Sequence, residues 1–121
     1  MINLSEIKTI AVVGATNNSE KYGYKIVENL KRKGFNVWPV NPKEKEILSL
    51  KVYSSLQDLP QEPELVVLVV PATIGLIIIN QMHELGWQNV WVQPGAESEK
   101  LIAELDRLKF NYIVQACIMM N

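Results

Sequence analysis

The chain has 121 residues, 48% of them hydrophobic, with 12 basic and 13 acidic side chains and a formal net charge of -1. That length supports one core, so residues 1–121 are expected to form a single domain, and the dispersed lysines lack the basic footprint of a nucleic-acid or anionic-membrane binder. The N-terminus MINLSEIKTI lacks the features of a signal peptide, the apolar runs stop short of spanning length, and the one cysteine, Cys117, allows no internal disulfide; a soluble cytoplasmic protein is expected.

Met1 to Ile7 reads as a lead-in with a turn of helix begun at Ser5. Ile10 to Val13 then has the length and β-branched content of a buried strand. It stops at Gly14, where a polar loop leads to a helical pattern near Tyr22. The stretch TIAVVGATNNSEKYG, Thr9 to Gly23, reads as a nucleotide-type phosphate loop. Gly14 admits close approach of a ligand, Asn17, Asn18 and Ser19 offer turn chemistry and short donors, and the following helix directs its free amides to the same spot. The spacing departs from G-x-G-x-x-G, because no glycine follows Gly14 until Gly23. A plain strand-loop-helix turn with one glycine is the other reading.

Tyr22 to Lys33 places Ile26, Val27 and Leu30 on one face of a helix closed by Gly34. Phe35 to Val40 is a second strand, in which Pro39 belongs near the end or where no ladder donor is needed. Asn41-Pro42 turns the chain out of the sheet before the charged stretch Lys43 to Glu46. Ile47 to Tyr53 is expected to hold a short edge strand around Val52 and Tyr53, and Ser54 to Glu64 to be connection with a helical turn at Ser55 to Leu59. Leu65 to Val70, LVVLVV, is an uninterrupted apolar run suited to a central parallel strand. Thr73 is expected to cap a helix running through Leu85 and closed by Gly86. Asn89 to Gln93 is a strand, Ser98 caps a helix with Leu101, Ile102, Leu105 and Leu108 on one face, and Asn111 to Val114 is the last strand.

Strands alternating with helices argue right-handed crossovers and a Rossmann-type α/β fold, a three-layer parallel sheet with helices on both faces. Ligands then bind outside the carboxyl ends of the strands, at the loops after Gly14, at Asn41-Pro42-Lys43, at Pro71-Ala72-Thr73 and at Gln93-Pro94-Gly95. The second strand ends in Asn41 rather than the acidic residue that holds a free ribose, and Lys43 and Lys45 follow, which suits a phosphorylated ribose, as in NADP or coenzyme A; the other reading is that Asn-Pro only breaks the strand and the lysines form a solvated turn.

The set AVVGAT with Gly23 reached through Lys21-Tyr22, a second strand ending PVNPK, LKVYSSLQDLP, the long strand ending VVP, and VWVQPGAES resembles the CoA-binding domain family over nearly the whole chain. These are small Rossmann proteins like the CoA-binding part of the succinyl-CoA synthetase α-subunit. The resemblance implies a site for CoA or acyl-CoA with Gly14, Ala15, Thr16 and Asn17 around phosphate and Asn41, Pro42 and Lys43 around the adenosine end. It places Val70, Pro71, Ala72 and Thr73 along the adenine or pantetheine path, with Lys21, Tyr22, Gly23, Gln93 and Gly95 completing the set. Pro94 stands where leucine is frequent in the family, and Ala116 where a basic residue precedes the cysteine.

No acid-base pair or metal constellation stands out. His83 is expected on the polar side of its helix. Cys117 is either a nucleophile or mixed-disulfide partner for CoA, or an inert small hydrophobe, which the absence of a nearby histidine in sequence favours. The helix ATIGLIIINQMHEL has surplus apolar surface: Ile74, Ile77, Ile78, Met82 and Leu85 are expected to face the core, leaving Leu76 and Ile79 for a homodimer or partner enzyme. Neighbouring helices covering that surplus is the other reading. The expected act is binding, carrying, sensing or supplying CoA without catalysis. An NADP-dependent oxidoreductase and a ligand-free interaction module are the rivals.

Overall fold

A computed structural model describes residues 2–121; Met1, the first residue of the expected lead-in, lies outside the described residues. The fold is Rossmann-like α/β, as the alternation of patterns predicted. β1 (Thr9–Val13), β2 (Asn36–Val40), β5 (Leu65–Leu68), β6 (Asn89–Val92) and β7 (Asn111–Ile113) form one parallel sheet in the order β2-β1-β5-β6-β7. Counted along the parallel strands this is 2-1-3-4-5, the doubly wound order in which the chain reverses direction between β1 and β5. The two central strands carry the sequence's strongest apolar runs. Ile10, Ala11, Leu65, Val66, Val67 and Leu68 are all essentially inaccessible, because residues of alternate parity feed the cores on opposite sheet faces.

Helix α1 (Tyr22–Arg32) covers one face with Ile26, Val27 and Leu30, and the C-terminal Ile118 fills the same core. Helices α2 (Ala72–Leu85) and α3 (Glu99–Arg107) cover the other, with Ile79, Met82, Leu101 and Leu105 inside. Ser98 caps α3 as expected, its hydroxyl accepting the Leu101 N–H at 3.0 Å. Among the described residues no helix is long and apolar enough to cross a membrane.

Three expectations are corrected. The first concerns α2, whose core stripe is Gly75, Ile79 and Met82; Ile79 is fully buried, so it offers nothing to a partner, and Leu76 is half-buried against the core. Its exposed large apolar residues are Ile74 (44%), Ile77 (55%) and Leu85 (39%). A helix apolar nearly all round leaves its phase open, and the residue that sets it here is a glycine: a Cβ on Gly75 would lie 3.6–3.8 Å from Leu101 and Leu68, so this is the face that packs on α3 and β5. Second, Thr73 does not cap α2. Pro71 occupies that position with φ -56 and ψ 149, and the Ile74 and Gly75 N–H groups donate to its carbonyl. Its fixed φ and missing donor suit the end of the strand run.

Third, the edge strand expected around Val52 and Tyr53 is reduced to a single bridge at Tyr53, and a hairpin precedes it. Glu46–Ile47 (β3) and Leu50–Lys51 (β4) pair antiparallel as a hairpin whose two loop residues, Leu48 (φ 49) and Ser49 (φ 66), are both left-handed. Tyr53 alone bridges to Val40, donating its N–H to the Pro39 carbonyl at 2.9 Å and accepting the Asn41 N–H at 2.9 Å. Pro39 therefore lies within edge strand β2 with its missing N–H on the outer side, where β1 asks nothing of it.

Candidate functional site

The direction reversal between β1 and β5 opens a crevice at their carboxyl ends, and two glycines let its walls close together. Gly14 has φ 99, and a Cβ there would meet the Val69 backbone and the Val70 side chain at 2.9 Å, so only glycine passes between β1 and the chain leaving β5. Gly23, with ordinary helical φ, faces the Gly14 carbonyl so closely that a Cβ would overlap it. The start of α1 is thereby drawn onto the loop after β1. Lys21 precedes it in extended conformation without a side-chain cap, and the first amides bonded within the helix are those of Tyr24 and Lys25, both to the Lys21 carbonyl. The N–H groups of Tyr22 and Gly23, in the first turn of the helix, have no such backbone acceptor among the described residues and belong to residues that line the crevice, a setting that favours an anion.

Two adjoining cavities run along the strand ends. One, of about 610 Å³, is lined by Gly14, Thr16, Glu20, Lys21, Tyr22, Gly23, Asn41, Val69 and Val70. The other, of about 570 Å³, is lined by Tyr22, Val69, Val70, Pro71, Gln93, Pro94, Gly95, Ala96 and Cys117. Tyr22, Val69 and Val70 belong to both, with Tyr22 61% exposed at their junction. The first cavity is the more polar, with Thr16, Glu20, Lys21 and Asn41 beside the Gly14 and Gly23 backbone; the second is walled mainly by valine, proline and alanine.

The loop after β1 and the loop after β2 are clasped together. Asn41 donates its amide to the Ala15 carbonyl at 2.7 Å and accepts the Lys43 N–H at 2.7 Å. Glu44 Oε2 accepts the Asn17 N–H at 2.7 Å and the Thr16 hydroxyl at 3.4 Å, while Glu44 Oε1 accepts Asn17 Nδ2 at 3.0 Å. The Asn17 N–H, then its side-chain amide, hold the Glu44 carboxyl below the usual carboxylate range. Asn17 Nδ2 also donates to the Glu46 carbonyl at 2.8 Å.

Of the residues expected at a ligand, Gly14, Thr16, Lys21, Tyr22, Gly23, Asn41, Val70, Pro71, Gln93 and Gly95 line one cavity or the other. Ala15, Asn17, Pro42, Lys43, Ala72 and Thr73 line neither: Ala15 is buried, Asn17 is engaged by Glu44 and Glu46, and the rest lie at or near the surface. Gln93 is 3% exposed and its amide is spent on the C-terminal segment, Oε1 accepting the Ile118 N–H at 2.8 Å and Nε2 donating to Cys117 Sγ at 3.3 Å. Cys117 is half-buried at the apolar cavity and His83 is exposed on α2. Gln115 (φ 62) turns to solvent, and where a basic residue was expected the Ala116 carbonyl accepts the Trp91 indole N–H at 2.8 Å. The sequence reading missed Glu20, Val69 and Ala96 as lining residues and the Glu44 clasp; an acid next to Lys43 was visible, but no local pattern shows that it folds back onto Asn17.

Crevice and topology define a doubly wound α/β domain with a groove at the strand carboxyl ends. The chain belongs to the CoA-binding domain family, whose model, described as a CoA binding domain, matches residues 8–121. It is 34% identical over 109 residues to acetate–CoA ligase (ADP-forming) II of Archaeoglobus fulgidus, covering 81% of this chain and 16% of that protein. It is 33% identical over 110 residues to the α subunit of acetate–CoA ligase (ADP-forming) II of Pyrococcus furiosus, covering 85% and 24%. The chain thus spans no more than a quarter of the length of these curated relatives. Among solved structures, a conserved hypothetical protein from Pyrococcus furiosus superposes with a TM-score of 0.90 at 42% identity, over 93% of this chain and 97% of that one. A hypothetical protein from Pyrococcus horikoshii gives 0.89 at 30% identity, over 97% and 82%.

Proposed function

We propose that this chain, as a single domain, binds coenzyme A or an acyl-CoA along the strand ends and acts by binding rather than by catalysing a reaction. The observation that carries this is the adjoining pair of cavities, one edged by the Tyr22 and Gly23 amides and the Gly14 turn, the other apolar. A ligand with phosphates at one end and a long, weakly polar arm at the other fits such a groove. The diphosphate lies at the start of α1, the adenosine end toward Asn41 and Lys43, and the pantetheine arm past Tyr22 toward Pro71, Gly95 and Cys117. Family membership supports the ligand class, and the names of the ligases above agree with it. Among the described residues the side chain bonded to Cys117 Sγ is the Gln93 amide rather than a histidine or carboxylate, which supports a binding role.

Calorimetric titration with CoA, with NADPH and ADP as comparison ligands, tests this. Saturable binding that prefers CoA is expected. Heat with NADPH and none with CoA would replace the reading by a reductase, and silence with all three would replace it by an interaction module.

A further inference from the structure

Glu44 takes no part in the contacts proposed above, yet it reaches from the loop after β2 onto the loop after β1. Three acceptor directions of its carboxylate serve the Asn17 N–H, the Asn17 amide and the Thr16 hydroxyl. A carboxylate offers about four, so one is left over. Glu44 itself lines neither cavity, but Thr16, which it bonds, lines the first, as does Asn41 three residues before it.

In doubly wound sheets the ribose of a bound nucleotide lies at the end of the second strand, where an acceptor-only side chain holds free hydroxyls and a basic one admits a ribose phosphate. Here that strand ends in Asn41, whose amide is already committed to Ala15 and Lys43. The next residues carry both kinds of group in succession: Lys43, Glu44, Lys45. The lysines are exposed and, among the described residues, in no ion pair, whereas Glu44 is half-buried and tied inward.

We propose that Glu44 and its flanking lysines are opposed specificity determinants for the ribose: Glu44 accepts a free ribose hydroxyl and repels a ribose phosphate, while the lysines attract it. Choice between CoA and dephospho-CoA is then a balance set within residues 43–45. This rests on the CoA reading.

The test is calorimetric titration of the full chain with CoA and with dephospho-CoA, for wild type, Glu44→Gln and Lys43→Ala. Glu44→Gln keeps an oxygen for the Asn17 N–H and removes the charge. It is expected to shift the affinity ratio toward CoA by about three- to tenfold, most strongly at low salt, the size due to one carboxylate near a phosphate at high effective dielectric. Lys43→Ala is expected to shift the ratio the other way. An unchanged ratio in Glu44→Gln, or equal loss for both ligands together with a lower unfolding midpoint in urea, overturns the assignment and leaves Glu44 a mechanical clasp. Wild-type protein that binds neither ligand overturns the CoA reading itself, and with it the basis of this one.

Discussion

Gly23→Ala tests the packing of α1 on the loop after β1. Gly23 sits in the first turn of α1 with no left-handed backbone, so in an unobstructed helix alanine would add about 1 kcal/mol of stability. Its Cβ, however, would overlap the Gly14 carbonyl, which is backbone and cannot rotate away. Overpacking of this kind costs about 1–3 kcal/mol, so the variant is expected to be less stable than wild type by up to about 2 kcal/mol. For a chain of this size that is a fall in Tm of several degrees. Relief comes by moving the start of α1 off the loop, which carries the Tyr22 and Gly23 amides with it. Losing one hydrogen bond to a charged group costs about 1.5–3 kcal/mol, so CoA affinity should fall by about tenfold to a hundredfold. Urea unfolding and calorimetry on the same preparation read the two effects. A variant stabilised by the full helix increment, with CoA affinity unchanged, would refute both the packing argument and the placement of phosphate at α1. Gly14 is a poorer probe, because its φ of 99 and its contact with Val69 act together and would weaken fold and site at once.

Two further outcomes follow from the packing of α2 and from the sheet's amino end. Ile79→Ala should cost about 2–5 kcal/mol in urea unfolding and Ile77→Ala only a few tenths, since the first side chain is fully buried and the second 55% exposed; comparable losses would mean α2 is rotated from the orientation described. Glu64 accepts the Lys8 N–H at 2.8 Å and the Thr9 N–H at 3.0 Å, and these bonds, Lys8 first, lower its pKa. A depressed folded-state pKa means a contribution present above the unfolded value and lost as pH falls through the folded one. Glu64→Gln should therefore show a shallower loss of stability on acidification below roughly pH 5, measured by urea unfolding across that range; identical pH profiles would show that Glu64 is not linked to folding.

Most of the fold was legible because the strands and two of the helices carry local, redundant signals. LVVLVV marked a strand buried on both faces, Ser98 and Gly34 marked helix ends, and Gly14 marked the turn at the crevice. What could not be read depended on partners distant in the chain. The phase of α2 is set by Gly75 against Leu101 and Leu68, and glycine contributes nothing to an apolar pattern. The hairpin at residues 46–51 turns on Leu48 and Ser49 in left-handed backbone, without the Asn-Gly or Asp-Gly that normally announces such a turn. At the site the glycines and the strand-end loops were visible, but the pairing of Glu44 with Asn17 spans 27 residues and has no local signature. It takes from the expected phosphate cradle one of the donors, Asn17, that composition alone would assign to it.

Proline at position 39 also bears on how the sheet meets other sheets. Along the outer side of β2 the donor at residue 39 does not exist and the one at Asn41 is taken by Tyr53, so alternation leaves Val37 as the strand's one outward N–H. A foreign strand finds no continuous template on that border. The opposite border, β7, is three residues long and lies between the left-handed Lys109 and Gln115. Open-ended stacking of sheets needs two receptive borders on every copy. With one of them blunted, edge-to-edge joining of the five-stranded sheets of two copies is directed to β7 against β7, an arrangement that ends at two instead of growing.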